Sequence, residues 1–304
     1  MGITRKNFLR SLLGMAGSGL CLRHAAWPAV QAGPLAMKDL GKTGLRVTAL
    51  GMGATRTLEP ALVQAAVDQG INLIDTGRSY MNGRNEEMIG GALQGRRRQV
   101  VIQSRIHLPE GLPGTLATKE VAAPSPAALR AHLETELEQS LKALRTDCVD
   151  VMLLHGIEEE PVLENETVRD FFTKAKSAGK IRACGFSAHR NHVALLEKAV
   201  QSAFYQVVLL PFNPFGRFRH SIGGWPAEWD QARLVKAMER AHAAGIGIVA
   251  MKTCSAGPYA LRQGDPPSFA GAVRWVTDHP SISSAVPAMA NFTQLEEHLS
   301  QHRA

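Results

Sequence analysis

The sequence predicts an α/β protein built as an eight-fold parallel β/α (TIM) barrel, and three observations carry that prediction. Short apolar runs alternate with amphipathic runs eight times along the chain. They begin near Thr48, Asn72, Gln99, Val149, Arg182, Gln206, Ile246 and Ser283, at intervals of 24 to 50 residues, about one β/α unit each with insertions after the third and sixth. Runs such as VDVMLLH and IGIVAMK are mainly apolar on both faces, as buried strands are. A doubly wound open sheet would need a Gly-rich phosphate turn after the first strand. Gly51-Met52-Gly53 lacks the third glycine. The length of 304 residues, with 45% hydrophobic and 20% charged, suits one barrel and excludes disordered or collagen-like chains.

The first segment stands apart. MGITRKNFLR is basic without an acid, SLLGMAGSGLCL is an apolar run of twelve, and Val30-Gln31-Ala32 ends on the small residues a signal peptidase reads. Twelve residues are too few for a bilayer, which needs about 20. This order predicts an export signal over residues 1–32, with the barrel over 33–304. Thr4-Arg5-Lys6-Asn7-Phe8-Leu9-Arg10 resembles the twin-arginine motif with Lys6 for the second arginine. An ordinary secretory signal or an uncleaved anchor is the alternative. The reading implies contact with export machinery through residues 1–32 and a periplasmic location without stable membrane insertion after cleavage. If the signal goes unused, the protein is cytoplasmic.

Removing that segment also settles the charge. The whole chain has 34 basic and 27 acidic residues, but residues 1–32 hold four of the basic ones and no acid. The remaining 30 against 27 is no footprint for nucleic acid or a membrane surface. Three cysteines remain, an odd number that excludes a complete disulfide framework.

Helix signals fill the gaps between strands. Pro60 opens one helix and Gly70 closes it. Ser125-Pro126 is an N-cap with a first-turn proline, and Leu129, Leu133, Leu137, Leu141 and Leu144 then form a core stripe. Gly179, Gly245 and Pro280 end later helices, and Thr293 with Glu296 suggests a capping box. Arg96-Arg97-Arg98 reads as a solvated turn and Glu158-Glu159-Glu160 as a solvated loop.

In such a barrel, chemistry sits at the C-terminal ends of the strands. Those ends bring Asp75, Tyr80, Arg105 and His155 to one mouth. Each alone has a structural explanation; four at successive strand ends point to a site. His107, His155, His189 and His192 also fall near the mouth, and His189-x-x-His192 has a metal-like spacing without a matching carboxylate or thiolate. No metal site is assigned. Cys254 reads as a buried apolar residue or a reactive thiol.

These residues carry a resemblance. Residues 40–54 (LGKTGLRVTALGMGA), 71–93 (INLIDTGRSYMNGRNEEMIGGAL), 137–155, 179–189 (GKIRACGFSAH), 245–253 and 273–299 resemble the aldo-keto reductase family. The resemblance implies reduction of a small-molecule aldehyde or ketone with NADP(H), or NAD(H) as the alternative. It implies a tetrad of Asp75, Tyr80 and His155 with Arg105 at the family's lysine position. Tyr80 is then the proton donor, made a stronger acid by the neighbouring cation that Asp75 holds, and His155 orients the carbonyl oxygen. An opposite charge nearby is expected to bring the phenol towards neutrality. Cofactor contacts carry over to Gly53, Ala54, Asp75, Ser187, Met251, Lys252 and Glu297.

Several positions depart from the family pattern. Arg105 replaces lysine, Ala188 an asparagine, Leu209 a glutamine, Ala288 a phosphate-loop glycine and His298 an asparagine that meets the adenine. Two rival readings follow: a non-catalytic periplasmic binding protein that keeps the barrel, and a metal-dependent barrel enzyme using the histidines.

Overall fold

A computed structural model describes residues 33–112, 122–220 and 223–303. The expected export signal, and part of the insertion after the third strand, lie outside these residues.

The chain starts with an antiparallel hairpin, β1 (Met37–Asp39) and β2 (Arg46–Thr48). Then come β3 (Met52–Gly53), α1 (Pro60–Asp68), β4 (Leu73–Asp75), a short 3-10 turn (Tyr80–Gly83) and α2 (Arg84–Ala92). They are followed by β5 (Val101–His107), α3 (Pro126–Leu144), β6 (Val149–His155), α4 (Pro161–Glu164), α5 (Glu166–Ser177), β7 (Ile181–Ser187) and α6 (His192–Ser202). The last third holds β8 (Val207–Pro211), the hairpin strands β9 (Arg217–Arg219) and β10 (Pro226–Glu228), and α7 (Gln231–Ala243). It ends with β11 (Gly247–Met251), α8 (Phe269–Thr277), β12 (Ser284–Ala285) and α9 (Phe292–Ser300).

Eight parallel strands lie in the order β3-β4-β5-β6-β7-β8-β11-β12, as the strand–helix alternation predicts. The last meets the first through parallel bridges Leu50↔Ala285 and Gly53↔Ala288, so the sheet closes into a barrel. Gly53 is where closure is tightest: a Cβ there would lie 2.8 Å from Val286 O.

Two apolar clusters divide the core. Leu73, Val101, Val151, Leu153, Val207, Leu209 and Val249 belong to the barrel interior, together with Leu40, Leu45 and Val47 of the first hairpin. That hairpin plugs the N-terminal end, with Lys42 N–H donating to Gly245 O at 2.8 Å. Gly41 makes this possible, since its φ is +55° and a Cβ would lie 2.4 Å from Gly245 O. The larger cluster packs the helices on the strands and includes all five leucines of the α3 stripe. Ser125 Oγ caps α3 by accepting from Ala128 N–H at 3.2 Å, as its sequence predicts.

The structure corrects four local readings. Thr48 ends the hairpin and the first barrel strand starts at Met52. The α9 cap is Asn291, which accepts from Gln294 N–H, while Gln294 accepts from Ala290 N–H; Thr293 and Glu296 lie inside the helix. Arg97 is half-buried and donates to Val100 O, Cys148 O and Asp150, so it ties β5 to β6 and is no solvated turn residue. Glu158 is half-buried and faces Arg190 at 4.0 Å.

Candidate active site

The parallel register places the polar side chains. Asp75 ends β4 opposite Gln103 of β5, and His107 ends β5 opposite His155 of β6. Strand alternation sends Val101, Gln103 and Arg105 to the same side, into the barrel. Tyr80 follows β4 in the 3-10 turn, where Met81 (φ +50°) and Asn82 (φ +57°) adopt left-handed backbone. Such backbone costs about 1–2 kcal/mol per non-glycine residue and persists where surrounding structure holds it.

All four predicted tetrad residues meet at the mouth. Arg105 is 1% exposed and grips both carboxylate oxygens of Asp75 through one guanidinium nitrogen. Its Nε donates to Thr76 O at 3.1 Å, and its Cζ lies 5.2 Å from the centroid of the Tyr80 ring. Gln103 Nε2 donates to Asp75 Oδ1 at 2.7 Å. The Tyr80 and His155 rings meet edge to face at 6.0 Å, and the His107 ring lies 4.1 Å from His155. His107 Nε2 is 2.9 Å from Ser79 Oγ.

Burial pushes the Asp75 carboxyl up, opposed by the Arg105 charge and the Gln103 amide. Burial alone would push the Arg105 guanidinium down, but Asp75 holds it protonated. His155 is held well below the usual imidazole range, first by burial and then by Arg105, so it is neutral at pH 7. Among the described residues its buried Nδ1 has no hydrogen-bond partner. Tyr80 departs from the expected direction. Burial pushes its phenol above the ordinary value, and the Arg105 charge only opposes that rise, with Asp75 adding to it. The Asp75 carboxylate offsets part of the Arg105 charge at the phenol, so the net electrostatic pull does not overcome burial.

The residues expected at a cofactor are more scattered. Ser187 is fully buried; its Oγ accepts from Gly156 N–H at 3.0 Å and donates to Leu154 O at 3.3 Å. Gly53 N–H donates to Pro287 O and its carbonyl accepts from Met289 N–H, so both serve barrel closure. Ala54 N–H donates to Asp75 O, and its carbonyl accepts from Asn85 Nδ2. Ala188 and Leu209 are buried apolar groups beside Ser187. Met251 ends β11 opposite Pro211. Lys252 follows it, half-buried, with its Nζ 5.6 Å from the Phe218 ring centroid. Glu297 lies on α9, near enough to Cys254 to push that thiol up, although burial is the main cause of its rise to about 11. A thiol so placed is protonated and unreactive at pH 7.

Among the described residues, no group of three His, Cys, Asp or Glu stands where it could hold a metal. His192 instead packs edge to face on Trp229 at 5.6 Å, and His189 packs against Trp225 at 6.0 Å. No described helix is long and apolar enough to cross a membrane.

Sequence reasoning missed a layer beneath the tetrad. Asn85, fully buried, donates to Ala54 O and Thr57 O and accepts from Thr76 Oγ1. Glu86, also buried, accepts from Ser104 Oγ at 2.6 Å and pairs with Arg78. Period-two alternation along β5 is the signal that leads from Arg105 back to Gln103. Asn85 and Glu86 open α2 and read there as ordinary first-turn polar residues.

Residues 51–269, well over half of the chain, match the Aldo/keto reductase family. The uncharacterized oxidoreductase YqkF of Bacillus subtilis is 29% identical over 193 residues, covering 63% of this chain and 56% of YqkF. The chain thus matches about half the length of that relative. A structure described as an aldo-keto reductase from Pseudomonas aeruginosa superposes with a TM-score of 0.69 at 25% identity, covering 91% of this chain and 98% of the other. The fold is shared with an aldo/keto reductase from Klebsiella pneumoniae, solved with NADP and acetate, at a TM-score of 0.60 and 21% identity, over 87% of this chain and 89% of that one. By sequence as by architecture, the chain belongs to the aldo/keto reductase family, whose members are oxidoreductases.

Proposed function

We propose that the protein reduces the carbonyl group of a small aldehyde or ketone with NADP(H), using Tyr80 as the proton donor. One observation carries the reading. A buried cation, Arg105, is locked to Asp75 beneath the Tyr80 ring, with a neutral His155 beside it. The nicotinamide cofactor, when bound, supplies the hydride to the carbonyl carbon. Charge then builds on the carbonyl oxygen, and a group that gives up a proton must be close. Tyr80 is protonated at pH 7, since an ordinary phenol already titrates well above it and burial raises this one further. Arg105 stabilises the tyrosinate left behind, and Asp75 keeps Arg105 in place. His155, neutral, presents a hydrogen bond to the carbonyl oxygen without adding a second cation beside Arg105.

Ser187 offers a test of whether the residues suit a nicotinamide. A hydroxyl has one donor and two acceptor lone pairs. Ser187 Oγ uses its donor on Leu154 O and one lone pair on Gly156 N–H, which leaves one acceptor for the N–H of a carboxamide. Ala188 and Leu209 add no polar contact there. The residues fit the group with fewer hydrogen bonds than the family pattern provides. Cofactor binding is therefore expected to be weak, with turnover retained.

The test is quenching of tryptophan fluorescence by NADPH, followed by NADPH oxidation with a panel of aldehydes, ketones and dicarbonyls. Saturable quenching with carbonyl-dependent oxidation is expected. The absence of both quenching and oxidation supports the rival binding-protein reading, and quenching without oxidation defeats the proposed carbonyl reduction. We further propose that residues 1–32 act as an export signal through the twin-arginine route, which carries folded proteins and with them a bound cofactor.

A further inference from the structure

We propose that the carbonyl substrate carries an anionic group, carboxylate or phosphate, and that Lys252, expected from the family resemblance at the cofactor, selects the substrate instead. The inference rests on the reductase reading and deepens it. Lys252 has neither an ion pair nor a side-chain hydrogen bond among the described residues. It stands at the C-terminal end of β11, and its ammonium rests over the ring of Phe218 on β9. The fixed charges acting on it are those of Arg105 and Arg56, both cationic. Its own charge in turn acts on His155, His189 and His220. The ammonium therefore stands at the mouth, over a Phe218 ring 6.2 Å from that of His189, and the buried cation Arg105 is already matched by Asp75.

A half-buried ammonium acted on by two guanidinium charges, and paired with no carboxylate among the described residues, is unfavourable without an anion from outside. Burial and those two arginines pull its pKa down to about 8. The backbone gives a second, independent sign. Lys252 has φ +56°, a left-handed conformation that a lysine adopts only when held. Asn213 holds it: the Asn213 amide nitrogen lies 3.2 Å from Lys252 O and 2.8 Å from Arg217 O. Asn213 Oδ1 accepts from Phe215 N–H at 3.0 Å. One buried asparagine thus fixes both the lysine backbone and the start of the hairpin carrying Phe218. Strain kept by a dedicated support marks a functional position.

Matched substrates test the proposal. 4-Carboxybenzaldehyde and methyl 4-formylbenzoate share a shape and differ in charge, and glyceraldehyde 3-phosphate against glyceraldehyde tests phosphate. The acid is expected to exceed its ester at least tenfold in kcat/KM, through KM, in one or both pairs. Lys252→Gln should reduce that ratio to within about threefold, and Lys252→Arg should restore it. Calorimetric binding of 4-(hydroxymethyl)benzoate, against its methyl ester, should show the same dependence on Lys252 without turnover. Equal preference for charged and neutral substrates in the wild type overturns the proposal. So does a Lys252→Gln variant that loosens NADPH while keeping the ratio, because Lys252 then serves the cofactor. Failure of every aldehyde to react rejects the reductase reading instead.

Discussion

Arg105→Met is the substitution that asks most of this structure. It removes the charge and keeps much of the side-chain length. Asp75 is 4% exposed, and after the change its carboxylate keeps only the Gln103 amide at 2.7 Å as a side-chain hydrogen-bond donor among the described residues. Breaking a buried ion pair from one side typically costs 3–5 kcal/mol, so a loss of about 4 kcal/mol is expected. Arg105→Lys keeps the charge and loses the bond from Nε to Thr76 O with part of the grip on Asp75. A hydrogen bond to a charged group contributes about 1.5–3 kcal/mol, which sets the expected loss near 2 kcal/mol. Arg105→Met with Asp75→Leu removes both charges and should recover at least half of the single-variant loss, limited by the Gln103 amide left without its acceptor. Urea unfolding at pH 7 with a common m value measures all three. A loss below about 1 kcal/mol for Arg105→Met, or a double variant less stable than the single, would refute the buried pair. Activity should follow a different order: Arg105→Lys retains carbonyl reduction and Arg105→Met abolishes it, since only the charge stabilises the tyrosinate.

Other outcomes follow from the same contacts. Tyr80→Phe should bind NADPH as the wild type does and lose carbonyl reduction by at least 100-fold; retained turnover would remove Tyr80 as the donor. Burial holds His189 to about 3 and both His192 and His298 to about 4, against about 6.5 in an unfolded chain. Below pH 6.5 the unfolded state takes up protons that the folded state refuses, so stability falls as pH drops, by about 2 kcal/mol per histidine at pH 5. Equal urea midpoints at pH 7 and pH 5 would contradict that. The Asp150 carboxylate accepts from Ile102 N–H at 2.9 Å, Arg97 at 2.7 Å and Arg182 at 3.1 Å. Asp150→Ala should therefore cost about 3 kcal/mol in the same assay, and a loss under 1 kcal/mol would show those contacts to be dispensable. Protein taken from its native host should begin at Gly33 on N-terminal sequencing; an intact Met1 in the cytoplasmic fraction would end the export proposal.

Periodicity made most of the fold legible. VDVMLLH could only be a strand buried on both faces, and the α3 leucines could only be one helix face. The interval from strand to strand then fixed the barrel and, through it, which ends share a mouth. Boundaries were less legible where a tertiary contact decides them. Thr48 continues an apolar run in sequence, but the hairpin ends there and the first barrel strand starts four residues later, at Met52. Arg97 looks solvated in a run of three arginines; only the fold brings Cys148 O and Asp150 within its reach.

In the site, residue types and their order located Asp75, Tyr80, Arg105 and His155, because each ends or follows a recognisable strand. The direction of the Tyr80 shift was not legible. It depends on burial against a cation, and no sequence pattern reports how fully Asp75 neutralises Arg105. The left-handed backbone at Lys252 is likewise a product of Asn213, 39 positions away in the chain. Asn85 and Glu86 escaped for a related reason: what marks them is burial, and first-turn polar residues are ordinarily exposed.

Hydride transfer itself tests the account most directly. NADPH carrying two deuterium atoms at C4 of the nicotinamide, incubated with the wild type and a turned-over aldehyde, should deliver one deuterium to the carbinol carbon of the product, read by mass spectrometry. Tyr80→Phe, saturated with the same cofactor, should deliver none above the enzyme-free background. Saturable NADPH binding by the wild type with no deuterated alcohol formed from any carbonyl compound would contradict the reductase reading.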